Sequence, residues 1–224
     1  MEITGARSVV LGATGGFGAE IARSLASEGA ALAVHGRDVD RLQAIAAEVG
    51  GHAVPGDLTQ PGVPDVVIDD AARALGGLDV VVMAFGAVAF GPVAELDEAV
   101  LRSIIEIDLI APILVARAAT RHLERDGVIA QVSAVVADQP MAGLAAYSAA
   151  KAGLTAFDVA FRREMRRAGV RVLDARPPHM ETGLATRPLA GTAPGLSEGR
   201  NPREVADELV VVIGGSDSVP DWID

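Results

Sequence analysis

Apolar residues along the chain fall into short continuous runs, separated by stretches in which they recur every three or four positions. The runs are Val9–Leu11, Ala31–His35, His52–Pro55, Leu78–Ala84, Val128–Ser133 and Val170–Ala175. Continuous rather than alternating hydrophobicity predicts strands covered on both faces. Helical patterns lie between them. Ile21, Ala22 and Leu25 share a face after a glycine cluster, and Leu42, Ile45, Ala46 and Val49 stand at i, i+3, i+4 and i+7. Asp38 is placed to cap that second helix and Gly50-Gly51 to stop it. Pro64–Leu75, ended by Gly76-Gly77, is the third. A long helical stretch is predicted from about Asp97 to Arg125, and another from Leu144 to Ala168, closed by Gly169. Asn201-Pro202-Arg203-Glu204 then starts a last helix, with Asn as N-cap, Pro at N1 and Glu at N3. Val219–Ile223 is read as a brief edge strand. Six β–α alternations predict an α/β fold with one doubly wound parallel sheet and helices on both faces. Neither an internal repeat nor a linker divides the chain, so a single domain over 1–224 is expected. Gly183–Arg200 is rich in Gly, Pro, Ser and Thr and lacks periodicity; it reads as a mobile loop long enough to be functional.

Composition narrows the function classes. Half of the 224 residues are hydrophobic but only 3% are aromatic, so the core is aliphatic and alanine-rich. Cysteine is absent, which removes disulfides and thiolate zinc sites. No His/Asp/Glu spacing suggests a metal. A formal net charge of −11 argues against nucleic acid as a partner. The opening residues, MEITGARS, have no signal-peptide layout, and no apolar run reaches the ~18 residues of a membrane span. A cytoplasmic protein is expected.

Two constellations carry chemistry. In SVVLGATGGFGAEIARSL a strand meets Gly12, Gly16 and Gly18, with Gly15 as an extra, and a helix follows. Strand, glycine turn and helix start form the geometry that cradles a diphosphate, whose charge the free helix N–H groups attract. Further on, YSAAK places Tyr147 and Lys151 four apart on one helix face. An ammonium beside a phenol favours phenolate and is expected to lower its pKa from about 10. Tyr147 is also the chain's single tyrosine.

On these residues the chain resembles the short-chain dehydrogenase/reductase family over nearly its whole length. GATGGFG is similar to that family's T-G-x-x-x-G-x-G, with Leu11 for the leading Thr, and YSAAK to its Y-x-x-x-K. Asp57-Leu58 resembles the acidic pair that holds adenine. FGPVAELD and ARPPHMET fit the family's layout after the fourth and sixth strands. The resemblance implies a Rossmann-type fold and hydride transfer between a nicotinamide cofactor and a carbonyl or alcohol. Tyr147 would be the general acid/base, and Lys151 would bind the nicotinamide ribose and tune the phenol. Gly12, Thr14, Gly16, Phe17 and Gly18 would hold the diphosphate, Gly86 would be a further cofactor-binding residue, and Thr182 would meet the carboxamide. Arg37, in HGRD, falls where NADP-preferring members carry Arg, so NADP(H) is favoured over NAD, although Gly15 stands where many of them carry a basic residue. The family likeness further implies a homodimer or homotetramer, a small-molecule substrate, and closure of the 183–200 loop over it.

Three departures bear on activity. The family's catalytic serine lies thirteen residues before the tyrosine, where this chain has Ala134. Its neighbour Ser133 is the candidate substitute, but successive strand side chains point to opposite faces, so it serves only if the strand end shifts register. The family's N-N-A-G is here Met83-Ala84-Phe85-Gly86, which reads either as extra core packing or as an altered cofactor pocket. Asp108 stands in place of a catalytic Asn. It falls on the apolar stripe of Leu101, Ile104 and Ile105, and Pro112 has no N–H to offer its carbonyl, so a kink is expected there. The acid is read either as buried and paired with Lys151 or as a partly solvated helix residue. These departures sustain two alternatives: a redox-impaired binding protein of the same fold, and a non-redox dehydratase or cyclase. Among the remaining residues, His179 is a candidate substrate contact and Trp222 a packing anchor or subunit contact.

Overall fold

The computed structural model describes residues 1–215 together with Pro220, Trp222 and Ile223. Its six strands are β1 (Arg7–Leu11), β2 (Ala31–Gly36), β3 (His52–Pro55), β4 (Leu78–Met83), β5 (Leu123–Val132) and β6 (Arg171–Ala175). They form one parallel sheet in the order β3-β2-β1-β4-β5-β6. The order reverses between β1 and β4, and a crevice opens outside the carboxyl ends of strands at such a point.

Both sheet faces are covered, as the continuous apolar runs require. On one face Val10, Val34 and Val82 pack against α1 (Gly16–Ser27), α2 (Val39–Val49) and a C-terminal helix. On the other, Val9, Leu11, Val81 and Ile129 pack against α3 (Val63–Leu75) and two later helices. Alanine supplies much of this second layer: Ala71, Ala111, Ala116, Ala118 and Ala119 are all buried, which lets helix backbones lie close to the sheet where aromatics are scarce. Among the described residues no helix is long and apolar enough to cross a membrane.

The predicted helix over Asp97–Arg125 is corrected by the structure. It comprises α4 (Glu98–Ile105), a π-helical turn (Glu106–Ile110) and α5 (Ala111–Ala119). The π turn is the form the expected kink takes: Pro112 interrupts the helical ladder, and the Ala111 N–H reaches back to the Glu106 carbonyl. The helix ends after Ala119, where the i−4 ladder gives way to i−3 bonds from the Arg121 N–H to the Ala118 carbonyl at 3.3 Å and from the His122 N–H to the Ala119 carbonyl at 3.0 Å. β5 therefore begins at Leu123, five residues before the apolar run. A register shift opposite Leu78 and Val80, with Asp126 at φ 71°, carries the polar residues 124–127. The helix predicted over Leu144–Ala168 is α6 (Ala145–Met165), and the last is α7 (Pro202–Ile213), capped by Asn201 as expected. The predicted edge strand Val219–Ile223 lies partly outside the described residues; Ile223 forms a single antiparallel bridge with Ala175.

A polar seam joins α6 to the sheet. Asp158 is fully buried and accepts a hydrogen bond from Gln131 on β5. Burial pushes its carboxyl up to about 8; Asp174 on β6 adds to this, while Arg162 and Lys151 oppose it. The folded protein thus keeps a proton that the unfolded chain releases near 3.8. The associated stability is fully present below that pH and is lost as pH rises toward 8. Asp158→Asn is expected to unfold at a higher temperature than the parent at about pH 9, the gap closing in acid, in melting curves recorded across pH.

Candidate active site

A cavity of about 950 Å³ lies over the carboxyl ends of the strands at the β1/β4 reversal. The glycine turn forms one wall. Gly12 has φ +86°, and a Cβ there would stand 2.8 Å from the Phe85 nitrogen, so only glycine lets the ends of β1 and β4 approach. A Cβ on Gly16 would meet the Thr182 carbonyl at 2.5 Å, so the segment after β6 rests directly on the turn. Helix α1 opens with no side-chain cap and no acid in its first turn, leaving its N–H groups to an anion. Gly12, Thr14, Gly16 and Phe17 line the cavity. Gly18 is not among the lining residues; it is buried, where a Cβ would strike the Gly12 carbonyl oxygen at 2.3 Å, and packs helix against turn. Phe85 packs on the core layer of α3 and α5, as the extra-packing reading expects, and it also lines the cavity.

At one end stand Arg37, Arg41, Asp57 and Leu58. Arg37 is exposed, and its charge acts on Asp57 and His35. Burial pushes the Asp57 carboxyl up, but hydrogen bonds from Thr59 and the Arg37 charge bring it below the usual carboxylate value. Asp38 caps α2, accepting from the Arg41 N–H at 3.1 Å. Arg41 escaped the sequence reading because it falls on the polar face of α2. Its guanidinium crosses to the glycine turn and donates to the Thr14 carbonyl at 2.7 Å. The available signal was its position one turn into a helix that starts at the end of β2. His35, beneath this end, is neutral: burial lowers it to about 4, and one ring nitrogen lies 3.1 Å from the Gly56 carbonyl.

Tyr147 and Lys151 stand at the other end, brought there by the first two turns of α6. The lysine Nζ lies 5.7 Å from the phenol ring centroid and donates to the Val132 carbonyl at 3.1 Å. Asp108 is 0% exposed, with Oδ1 3.2 Å from Lys151 Nζ, which decides for the buried, paired reading over the solvated one. The phenol sits in a small apolar cluster with Val88, Val136 and Leu144, against which Ala134 packs. The lowered phenol pKa expected from the lysine is corrected here: burial, and after it the Asp108 charge, hold the phenol above its ordinary 10.0. Ser133 and Ala134 both border the cavity. The Ser133 hydroxyl donates to the Asp174 carboxylate on β6, and its remaining contact is the Ala175 carbonyl at 3.4 Å. No bulge re-aims the end of β5, which pairs with β6 in regular register from Val128 to Val132, so alternation along the strand holds.

The loop after β6 closes the site. Leu184, Leu189 and Leu196 line the cavity, as do Thr182 and Gly86. The Leu189 N–H donates to the Val88 carbonyl at 2.8 Å, and Phe90 donates to Ala190 at 2.9 Å. His179 lines the same space with Nε2 3.5 Å from Glu181. Trp222 is a packing anchor within the chain: it is buried, and its indole N–H donates to Glu208 at 3.0 Å.

Comparison with known proteins places this geometry. The model of the short chain dehydrogenase family matches residues 7–190. An uncharacterized oxidoreductase of Methylorubrum extorquens is 33% identical over 199 residues, covering 85% of this chain and 80% of its own. Cis-4-hydroxycyclohexanecarboxylate dehydrogenase of Sinomonas cyclohexanicum is 34% identical over 215 residues, covering 90% and 86%. A short chain dehydrogenase from Burkholderia cenocepacia, solved in complex with NADP, superimposes with a TM-score of 0.87 at 27% identity over 96% of this chain and 92% of that one. From the glycine turn, the paired Tyr147 and Lys151, and these matches, the chain belongs to the short chain dehydrogenase family and is an oxidoreductase of the nicotinamide-dependent kind.

Proposed function

We propose that the protein is an NADP(H)-dependent oxidoreductase acting on a carbonyl or its alcohol, with Tyr147 carrying the proton. The supporting observation is that one cavity is lined both by an uncapped, glycine-rich helix start and by the Tyr147–Lys151 pair. These residues fit a dinucleotide. The glycines admit a diphosphate against the backbone, and a Cβ at Gly12 or Gly16 would close that approach. When bound, the cofactor supplies or accepts hydride. Lys151 would hold the nicotinamide ribose, Thr182 the carboxamide, and Asp57 and Leu58 the adenine. Tyr147 exchanges the proton with substrate oxygen in an apolar, water-poor pocket. Val88, Phe90, Val136, Met141, Leu144 and Leu184 surround that end, so the substrate has an apolar, aliphatic or alicyclic body. The Sinomonas relative, by its name, acts on a cyclohexane ring. The outer faces of α5 and α6, with Ile110 and Val159 exposed nearby, are the surfaces for pairing subunits into a homodimer or homotetramer.

Titration of NADPH by its own fluorescence, followed by a panel of aliphatic and alicyclic ketones, tests the reading. Saturable binding and ketone-dependent NADPH oxidation are expected. Absence of NADPH and NADH binding overturns it. Binding without turnover across the panel moves the assignment to a redox-silent binding protein or a non-redox enzyme.

NADP(H) is proposed over NAD because two guanidiniums, Arg37 and Arg41, border the end beyond β2, whereas Asp38 is occupied as a helix cap. Arg41 stands over the turn where Gly15 offers no basic side chain. Arg37→Ala is expected to weaken NADPH binding about 10–100-fold, as befits a lost charge-assisted contact, and to leave NADH binding nearly unchanged. Arg41→Ala is expected to act in the same direction, and equal effects on both cofactors would place the arginines outside phosphate recognition.

A further inference from the structure

Asp108 lies on the π-helical turn, 0% exposed, directly behind Lys151. Its Oδ1 is 3.2 Å from the lysine Nζ, and the Ala87 N–H donates to both carboxyl oxygens, at 3.2 and 3.3 Å. A Cβ on Gly86 would stand 2.7 Å from Oδ1, so residues 86 and 87 close over the carboxylate with no room for a side chain. With the Val132 carbonyl, this carboxylate takes two of the lysine's three donors.

An ammonium at the lysine's distance from the phenol stabilises phenolate. Burial pushes the Asp108 carboxyl above the usual carboxylate range, and the Lys151 charge, with the hydrogen bonds from Lys151 and the Ala87 N–H, opposes this. An ammonium with an ionised carboxylate 3.2 Å away presents a dipole instead of a charge, and its field at the phenol is weakened. Of the other charged groups near the pair, the cation Arg162 on α6 donates to the Val172 carbonyl at 2.9 Å, and its charge acts on Asp158. Asp158 on α6 and Asp174 on β6 are acids, and Glu106 is the other acid of the π turn. Arg176 is drawn to Asp138 and Asp174, and His179 lies beside Glu181. The loop from 84 to 90 contributes no ionisable side chain.

We infer that Asp108 is a positioning residue that neutralises Lys151 and keeps the Tyr147 oxygen a hydroxyl, equipping the site to give a proton to a carbonyl rather than take one from an alcohol. This rests on the reading of Tyr147 as the proton carrier. In the favoured direction the carbonyl carbon accepts hydride from NADPH and is reduced, while NADPH is oxidised to NADP⁺. The C=O π pair moves to oxygen, the Tyr147 O–H bond breaks to protonate it, and the phenolate regains its proton from solvent. Burial and the Asp108 charge both raise the phenol, in agreement with this bias.

The test uses a feature of the composition. Tyr147 is the chain's single tyrosine, so the near-ultraviolet absorbance of phenolate reports it alone. In the free, folded protein its midpoint is expected above 10.0. Asp108→Asn, which keeps the side-chain shape and removes the charge, is expected to lower that midpoint by about 1–3 pH units. Adding Lys151→Met to it should reverse the drop. The pH at which alcohol oxidation reaches half its plateau should fall by the same amount in Asp108→Asn. An unchanged or higher midpoint in that variant overturns the inference, as does a parent midpoint below 10.0, a measurement that needs no variant to fold. Because the titration uses neither cofactor nor substrate, the expected shift without any ketone reduction would leave the role of Asp108 standing and remove the oxidoreductase reading alone.

Discussion

Tyr147→Phe is expected to lower kcat for ketone reduction by about 10²–10⁴, the usual contribution of a positioned general acid, and to leave NADPH binding unchanged. The two effects are expected to separate because the residues proposed to hold the diphosphate and the ribose phosphate, in the glycine turn and at Arg37 and Arg41, are other than the phenol, which lies in its own apolar cluster. The substitution removes one oxygen from a buried ring among Val88, Val136 and Leu144, and among the described residues no hydrogen-bonded partner is orphaned, so the fold is expected to hold. Single-turnover oxidation of bound NADPH, followed alongside cofactor affinity, makes the comparison. A variant that binds NADPH and reduces ketones at the parental rate would show that the proton comes from elsewhere, with Asp108 and His179 the next residues to replace.

Ala134→Ser should act in the opposite sense, raising the rate of the chemical step by about 10²–10³, the worth of one donor to a developing oxyanion. Ala134 borders the cavity and packs against the cluster that contains the phenol, in extended backbone that any residue adopts. A hydroxyl there would enter the space beside Tyr147. Ser133 cannot make the same donation while its hydroxyl is given to the Asp174 carboxylate. The gain should appear in kcat with little change in the KM for cofactor. If the rate does not rise, an existing donor already serves the oxygen, and Ser133→Ala in the parent would then identify or exclude the neighbouring hydroxyl.

Both substitutions bear on a site whose parts differ in how far they could be read from residue order. The glycine turn, the Tyr147–Lys151 face and the cap at Asp38 depend on spacings of a few residues, which backbone geometry converts directly into proximity. The β–α alternation is of the same kind, and the six strands appear where the apolar runs stand. Where local pattern is silent, spacing does not fix the element boundaries. Residues 120–127 are polar apart from Leu123 and carry no period that marks the end of the helix. Tight i−3 turns end it, and pairing with Leu78 brings the strand forward to Leu123.

The contacts that decide the chemistry span long separations. Asp108 meets Lys151 and Ala87 through three different elements, Thr182 rests on Gly16, and Arg41 reaches back to Thr14. By itself, the order of residues determined the class of fold, the glycine turn after the first strand and the shared face of Tyr147 and Lys151, because each depends on neighbours in the chain. Only the tertiary structure decided that the phenol is raised rather than lowered. Its proton affinity depends on burial and on a carboxylate from another helix, and those electrostatic terms follow distance in space rather than distance along the chain.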